Sequence, residues 1–124
     1  TGSAMRTTSG SGVMSRVFSH APLVVLVIGS PDVLAKIPVR EQEASAAAVC
    51  MNLLHAAHAY GFGASWVTGW AADSEGAARL YGLDRHERVV GIVHIGTPTE
   101  RPNDRPRPDL GRVVRYWSPD GEGD

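Results

Sequence analysis

The segment from Glu41 to Gly69 limits the possible folds of this chain more than any other part of its sequence. It begins like a helix, which the sequence predicts from about Arg40 to Tyr60, and it is apolar and rich in alanine on almost every side. A helix that is apolar all round is predicted to be buried. Glycines typical of a helix end follow it. The next residues, Ala64–Thr68, are largely β-branched and aromatic and predict a short strand.

Two further apolar runs flank this segment, Leu23–Ile28 and Val89–Ile95, and both predict buried strands. Between the second and third strands, Asp73 or Ser74 is predicted to cap a short helix that runs through Tyr81. A length of 124 residues predicts one domain. We therefore predict an α+β fold in which a small sheet packs on a long central helix.

Both ends of the chain are predicted to lie outside the core. Residues 1–12 are rich in Gly, Ser and Thr, which predicts disorder, and residues 1–4 look like the remnant of an expression tag. The Pro-rich residues 98–108 predict an extended segment that runs over the surface. Residues 112–117 have strand-like composition, and residues 118–124 are predicted to be a disordered tail.

Charge and cysteine content exclude several classes of protein. A net charge of −1 argues against sequence-independent binding of nucleic acid, which depends on clustered Lys and Arg. Cys50 is the only cysteine, so an intrachain disulfide and a cysteine metal cluster are excluded. The apolar run Leu23–Ile28 is too short to span a membrane. We expect a cytoplasmic protein that binds neither nucleic acid nor membrane.

Three histidines raise the question of a metal site. His55 and His58 share a face of the predicted helix because they lie three residues apart, whereas His94 lies on a separate strand. No acidic or cysteine motif joins them. We therefore predict no metal and histidines that pack in the core or at an interface. Cys50 is predicted to be a small buried apolar residue, and no Ser/His/Asp or Cys/His set predicts a hydrolase.

The strand after the long helix is the best candidate for a binding site. Its end combines an aromatic ring, a β-branched side chain and backbone N–H groups, at Trp66, Val67, Thr68 and Gly69. This combination suits a flat, apolar cofactor with a polar rim. The same residues are also compatible with an ordinary strand end followed by a turn glycine.

Several segments, taken in order, resemble the FMN-dependent nitroreductase family and, within it, the small NAD(P)H nitroreductase branch. Glu41–Gly69 is similar to the family's central helix and the strand after it. Ala21–Ile28 is similar to a core strand, Gly91–Pro98 to the last core strand and its turn, and Arg105–Trp117 to the C-terminal tail. Residues 13–117 are therefore predicted to form part of a nitroreductase-like domain, with a mainly antiparallel sheet and without the family's N-terminal helices.

The resemblance implies an oxidoreductase with FMN as cofactor and NAD(P)H as co-substrate. The acceptor would be an electron-poor molecule such as a nitroaromatic or a quinone, reduced in a ping-pong cycle through the flavin, with no side chain required as catalytic acid or base. The FMN contacts that it implies are Trp66, Val67, Thr68, Gly69, Arg105 and Arg107. The NAD(P) contacts that it implies are Ala56, Ala57, His58, Ala59, Tyr60 and Gly61.

Alternatives remain for each of these interpretations. Arg105 and Arg107 would also suit a solvated tail in which they pair with Asp104 and Asp109, and Ala56–Gly61 would also suit the packed end of a helix. The family's tail crosses onto a partner subunit, and the surplus apolar surface of helix and tail predicts a homodimer. The alternative to an enzyme is a truncated, non-catalytic module that dimerises or binds a partner and holds flavin weakly or not at all.

Overall fold

The computed structural model describes residues 2–7, 21–117 and 119 of the chain. In chain order, its elements are β1 Gly2–Thr7, β2 Leu23–Ser30, α1 Val39–Ala59, β3 Gly63–Val67, α2 Trp70–Asp73, α3 Glu75–Tyr81, β4 Arg88–Gly96 and α4 Leu110–Val113. The strands form one antiparallel sheet in the order β1-β2-β4-β3. The predicted α+β fold, with a small antiparallel sheet packed on a long helix, is confirmed.

The two faces of the sheet carry different helices. Val25 and Val27 of β2 pack with Cys50 of α1, whereas Val24 and Leu26 pack with α2 and α3. Successive side chains of a strand point to opposite faces, so the sheet lies between α1 on one side and α2 with α3 on the other. All five residues are at most 5% exposed. The predicted burial of this strand on both faces is confirmed.

The long helix α1 is buried along one stripe. Its buried residues are Ala46, Cys50 and Ala57, and spacings of four and seven residues place them on one face. Met51, on another side, is 50% exposed. Within this chain the helix is thus buried on one face only, because the sheet can cover only one side of a helix. Burial of its other side by a partner stays a prediction.

The short helix α3 begins and ends as its sequence predicts. The Ser74 hydroxyl accepts a hydrogen bond from the backbone N–H of Ala77 at 3.1 Å, which is an N-cap contact. Gly82 ends the helix in the left-handed conformation, with φ of 66°. These local signals position Tyr81, whose hydroxyl donates a buried hydrogen bond to the Ala71 carbonyl at 2.9 Å.

Two predictions about the ends of the chain are wrong. Gly2–Thr7, predicted to be disordered, forms β1 and pairs with β2. The edge of β2 offers backbone donors and acceptors to any extended segment, and this pairing depends only weakly on side chains. The segment Arg112–Trp117, predicted to be strand-like, contains no strand: Arg112 and Val113 belong to the short helix α4, and residues 114–117 have no regular structure. The Asp109 carboxylate caps α4 by accepting from Gly111 N–H at 3.1 Å.

The tail between β4 and α4 lies on the surface, as predicted. Residues 97–109 contain no helix or strand, and all of them are exposed. The predictions for residues 8–12 and 118–124 fall outside the described residues, apart from Pro119. Within the part of the chain that the structure describes, no helix is long and apolar enough to cross a membrane.

Candidate functional site

A tight turn follows β3 and contains the main candidate residues; we call Thr68–Trp70 the β3 turn. Gly69 has φ of 94° and ψ of −160°, a conformation that is essentially restricted to glycine. The Gly69 carbonyl accepts from the N–H groups of Ala72 and Asp73 and so starts α2. Among the described residues, no turn or cap hydrogen bond is donated by the backbone N–H of Thr68, Gly69 or Trp70.

The surroundings of the β3 turn leave room for a ligand. Among the described residues, a Cβ atom added at Gly69 would meet no atom within 4 Å. Trp66 and Val67, just before the turn, are 37% and 38% exposed, and the Trp70 side chain is 62% exposed. The turn therefore combines backbone donors with partly exposed apolar side chains. A flat, apolar ring system with a polar edge fits this chemistry.

The Trp66 and Val67 side chains lie on opposite faces of β3. Trp66 pairs in register with Val93, which belongs to the cluster beneath α1, and Val67 pairs with Ile92, which belongs to the cluster beneath α2 and α3. A single flat ligand ring therefore cannot pack against the Trp66 and Val67 side chains from the same side of the strand. The backbone that joins them to the β3 turn is the common feature of this candidate site.

The six candidate NAD(P) residues lie at the other end of β3. Ala57 is buried against the sheet, whereas Tyr60 is 82% exposed and Gly61 has φ of 81°. This segment leads into Gly63, and four residue steps to Val67 at about 3.3 Å each separate the two ends of β3 by roughly 13 Å. The structure of this single chain therefore does not bring the candidate NAD(P) segment to the β3 turn.

An open groove lies at that far end of β3. It has a volume of about 720 Å³, and its lining includes His58, His94, Phe62 and the tail residue Arg101. Two of the candidate NAD(P) residues, His58 and Gly61, line it, and none of the residues of the β3 turn does. The groove and the turn are therefore separate features of the surface.

The two candidate phosphate-binding arginines lie on the exposed tail. The Arg107 guanidinium pairs with the Asp104 carboxylate at 3.0 Å, and the Arg105 backbone N–H donates to the same carboxylate at 2.9 Å. The pairing of the tail arginines with Asp104 is thus seen for Arg107, whereas Asp109 caps α4 instead. Neither Arg105 nor Arg107 lines the groove.

The histidines and the cysteine occupy unlike environments. His55 and His58 are exposed on α1. Of the two predicted settings, the core is therefore excluded within this chain, and the interface stays a prediction. Among the described residues, no cluster of three His, Cys, Asp or Glu side chains is arranged to hold a metal ion. Cys50 is fully buried, as predicted, and this burial raises the pKa of its thiol above the ordinary value.

Sequence reasoning missed a small cavity at the start of α1. It has a volume of about 220 Å³ and lies between the end of β2, the start of α1 and the start of β4. The Gln42 side chain shapes its rim, because it accepts from the Asp32 N–H at 2.9 Å and donates to the Ile37 carbonyl at 2.8 Å. A Glu43–Arg88 ion pair joins α1 to β4 beside it. No local motif could have indicated this cavity, because three separate elements form it.

Comparison with known proteins identifies the family. The sequence model of the nitroreductase family matches residues 9–97 of the chain. The chain belongs to the nitroreductase family. Its match extends from before β2 through β4 and includes the long helix and the β3 turn.

Curated members of the nitroreductase family and solved structures resemble this chain over different lengths. "Putative NAD(P)H nitroreductase YdjA" of Escherichia coli K12 is 35% identical over 79 residues, which is 64% of this chain and 43% of that protein. A protein of Haemophilus influenzae with the same general name is 34% identical over 83 residues, or 66% of this chain and 45% of that protein. The chain thus spans less than half the length of these relatives.

The solved structures confirm the fold of this family member. A nitroreductase-like family protein from Bacillus cereus superposes with a TM-score of 0.70 at 24% identity, over 84% of this chain and 57% of that chain. A protein of Desulfovibrio desulfuricans, solved in complex with FMN, gives a TM-score of 0.70 at 18% identity, over 93% of this chain and 72% of that chain. At sequence identities below 25%, the structural similarity shows a shared fold.

Proposed function

We propose that this chain binds FMN at the β3 turn and acts in an oxidoreductase of the nitroreductase type. NAD(P)H would be the electron donor, and an electron-poor molecule such as a nitroaromatic or a quinone would be the acceptor. The observation that carries the proposal is the β3 turn, in which open space beside Gly69 adjoins backbone N–H groups that make no turn or cap hydrogen bond. Family membership and the FMN complex of the Desulfovibrio relative support it.

The residues of the turn fit FMN in chemical type. FMN, when bound, would supply the hydride chemistry, because that chemistry belongs to the cofactor rather than to side chains. The backbone N–H groups of Thr68 and Gly69 would hold the polar edge of the ring system, where preorganised donors stabilise negative charge. Trp66 and Val67 would border its apolar part.

The phosphate of FMN needs positive charge, which we assign to Arg105 and Arg107. A guanidinium presents a planar fork of donors that matches phosphate. Arg107 is paired with Asp104 on an exposed tail, and an exposed ion pair of this kind is worth only about 0–1 kcal/mol. Arg107 could therefore leave Asp104 and bind the phosphate of FMN at a small cost in free energy.

The co-substrate contacts at Ala56–Gly61 require a second subunit under this proposal. The segment lies before one end of β3 and the β3 turn follows the other end, and β3 itself is roughly 13 Å long at about 3.3 Å per residue step. In a homodimer, the segment of one protomer can serve the turn of its partner without any change in this chain. We therefore propose a homodimer as the unit that binds FMN and NAD(P)H.

The test uses the backbone donor at position 68. The substitution Thr68→Pro removes that N–H, whereas Thr68→Val keeps it and preserves the β-branched shape. We expect Thr68→Pro to weaken FMN binding by about tenfold, because a buried acceptor on the flavin ring that loses its donor costs about 1–3 kcal/mol. Thr68→Val should bind FMN like the unchanged chain. Equal FMN affinity of the proline and valine variants in a fluorescence titration would rule out the assignment.

A second candidate is a module that dimerises or binds a partner without flavin. The ion pair of Arg107 with Asp104 favours it, because this cation already has an anionic partner in the chain. The exposed apolar residues of the tail suit a contact with another protein; they are Leu110, Val113, Tyr116 and Trp117. A folded dimer that takes up no FMN would support this candidate over the enzyme.

A further inference from the structure

Trp66 lies on the face of β3 that packs against the long helix α1. Its register partner is Val93 of β4, which belongs to the same cluster as Cys50. Gly91 lies two residues before Val93, and residues two apart in a strand share a face. The side chain of Trp66 therefore extends over β4 at a position where that strand carries no side chain.

The indole of Trp66 occupies the space above Gly91. A Cβ atom at position 91 would lie 2.2 Å from Nε1 and 2.6 Å from Cδ1 of Trp66. The same Cβ would lie 2.7 Å from Sγ of Cys50. Non-bonded heavy atoms normally approach to about 3.5–4.0 Å, so none of these three contacts is tolerable. Indole and thiol thus share one notch, which exists because residue 91 is glycine.

The backbone at position 91 does not itself require glycine. The described glycines with positive φ are Gly61, Gly69 and Gly82, so Gly91 has a backbone conformation that other residues adopt. Gly91 is also buried, so a methyl group added at this position would have no solvent to point into. Space for the indole is therefore the physical reason for a glycine here.

We propose that Gly91 is a positioning residue for the β3 turn. It seats the Trp66 indole against Cys50 and thereby fixes the end of β3, two residues before Thr68. Among the described strands, β3 lies at the edge of the sheet and pairs only with β4. The packing of the Trp66 side chain therefore adds an attachment for β3 beyond its backbone pairing with β4. The consequence for FMN rests on the function proposed above, whereas the seat itself does not.

The first measurement follows the packing of the Trp66 indole over Gly91 in the absence of flavin. In a chain that also carries Trp70→Phe and Trp117→Phe, Trp66 is the only tryptophan, and its fluorescence emission reports its surroundings. Gly91→Ala should shift that emission to longer wavelength, because the displaced indole moves into water. Gly76→Ala is the matched control, since its added Cβ would meet nothing closer than Ser74 Oγ at 3.9 Å. An unchanged emission in a folded Gly91→Ala chain would overturn the proposal.

The second measurement follows FMN affinity in the chain with all its tryptophans. Gly91→Ala should weaken FMN binding by about tenfold, whereas Gly76→Ala should change it by less than about twofold. Circular dichroism must show both variants folded at the titration temperature, so that a general loss of stability is not read as lost affinity. A shifted emission with unchanged FMN affinity would disprove the role in positioning the turn.

A gentler variant covers the case in which Gly91→Ala does not fold. Cys50→Ala removes one wall of the notch without adding an atom, so it should fold, shift Trp66 emission and weaken FMN binding by a smaller factor. Unchanged emission and affinity in Cys50→Ala would overturn the proposal. If the unchanged chain bound no FMN, the proposed function would fail, and the emission measurement would still decide the role of Gly91 as the seat of Trp66.

Discussion

At the scale of single residues, two buried ionisable side chains, Cys50 and Tyr81, make the free energy of unfolding sensitive to alkaline pH. Burial raises the pKa of the Cys50 thiol above its ordinary value of 9.0 and the pKa of the Tyr81 hydroxyl above its ordinary value of 10.0. In both cases the folded chain favours the protonated form. Their contribution to stability is therefore fully present below the pKa of the unfolded chain and is lost as the pH rises through the folded pKa.

We predict that the free energy of unfolding falls steadily as the pH is raised above about 9. Urea unfolding at a series of pH values measures this slope, and Cys50→Ala should reduce it, since it removes one of the two groups. Met51→Ala, an exposed position on the same helix, provides the control and should leave the slope unchanged. A slope in Cys50→Ala equal to that of the unchanged chain would contradict the role of this thiol.

At the scale of single elements, helix ends with chemical signals were predictable. Ser74 and Gly82 fix both ends of α3 through a side-chain acceptor and a left-handed glycine, and the sequence alone indicates both. α4 was missed because Asp109 starts only one helical turn. β1 was missed because strand addition at an edge depends on backbone groups, which every sequence carries.

The Ser74 cap gives a direct prediction for one element. Ser74→Ala should lower the free energy of unfolding by about 1 kcal/mol, because the Ala77 N–H loses its acceptor. Ser74→Asp keeps an acceptor at the cap and should be close to the unchanged chain. Thermal melts followed by circular dichroism compare the three proteins. Equal melting temperatures for Ser74→Ala and Ser74→Asp would show that the cap contributes nothing.

The candidate site was predictable only in part, because some of its residues are continuous in sequence whereas others can be brought together only by the tertiary structure. Trp66–Gly69 forms one continuous stretch, so composition and a resemblance predicted it as a candidate. In the structure it ends in a glycine of positive φ, with open space beside it among the described residues. Its relation to Ala56–Gly61 and to the tail arginines depends on tertiary geometry, which local sequence does not encode. The seat of Trp66 over Gly91 is of the same kind, since it joins β3, β4 and α1.

At the scale of the whole molecule, several large apolar side chains of the described residues are exposed. Met51 of α1 is 50% exposed, and Tyr116 and Trp117 of the tail are 83% and 86% exposed. Large exposed apolar patches mark interaction surfaces. The homodimer that we propose would cover the outer side of α1 and the tail.

We predict a dimer in sedimentation experiments at micromolar concentration, and a shift toward monomer or aggregate when the chain is truncated after Asp109. The truncation removes Tyr116 and Trp117 and leaves the sheet and its helices untouched, because α4 and the residues after it lie outside both core clusters. A matched chain that keeps its full length but carries Asp104→Asn should remain dimeric. A stable monomer of the full-length chain would contradict the proposed assembly.

The most direct test of the proposed function is a titration of the chain with FMN, followed by quenching of flavin fluorescence. We predict saturable binding, and an affinity lowered about a hundredfold or more when Arg105→Ala and Arg107→Ala are combined, because each charge-assisted phosphate contact contributes about 1.5–3 kcal/mol. The double variant should stay folded, since both positions are exposed. Equal affinities of the two proteins would remove the tail arginines from the site. A folded, dimeric chain that binds no FMN would contradict the central claim, that this nitroreductase family member holds its cofactor at the β3 turn.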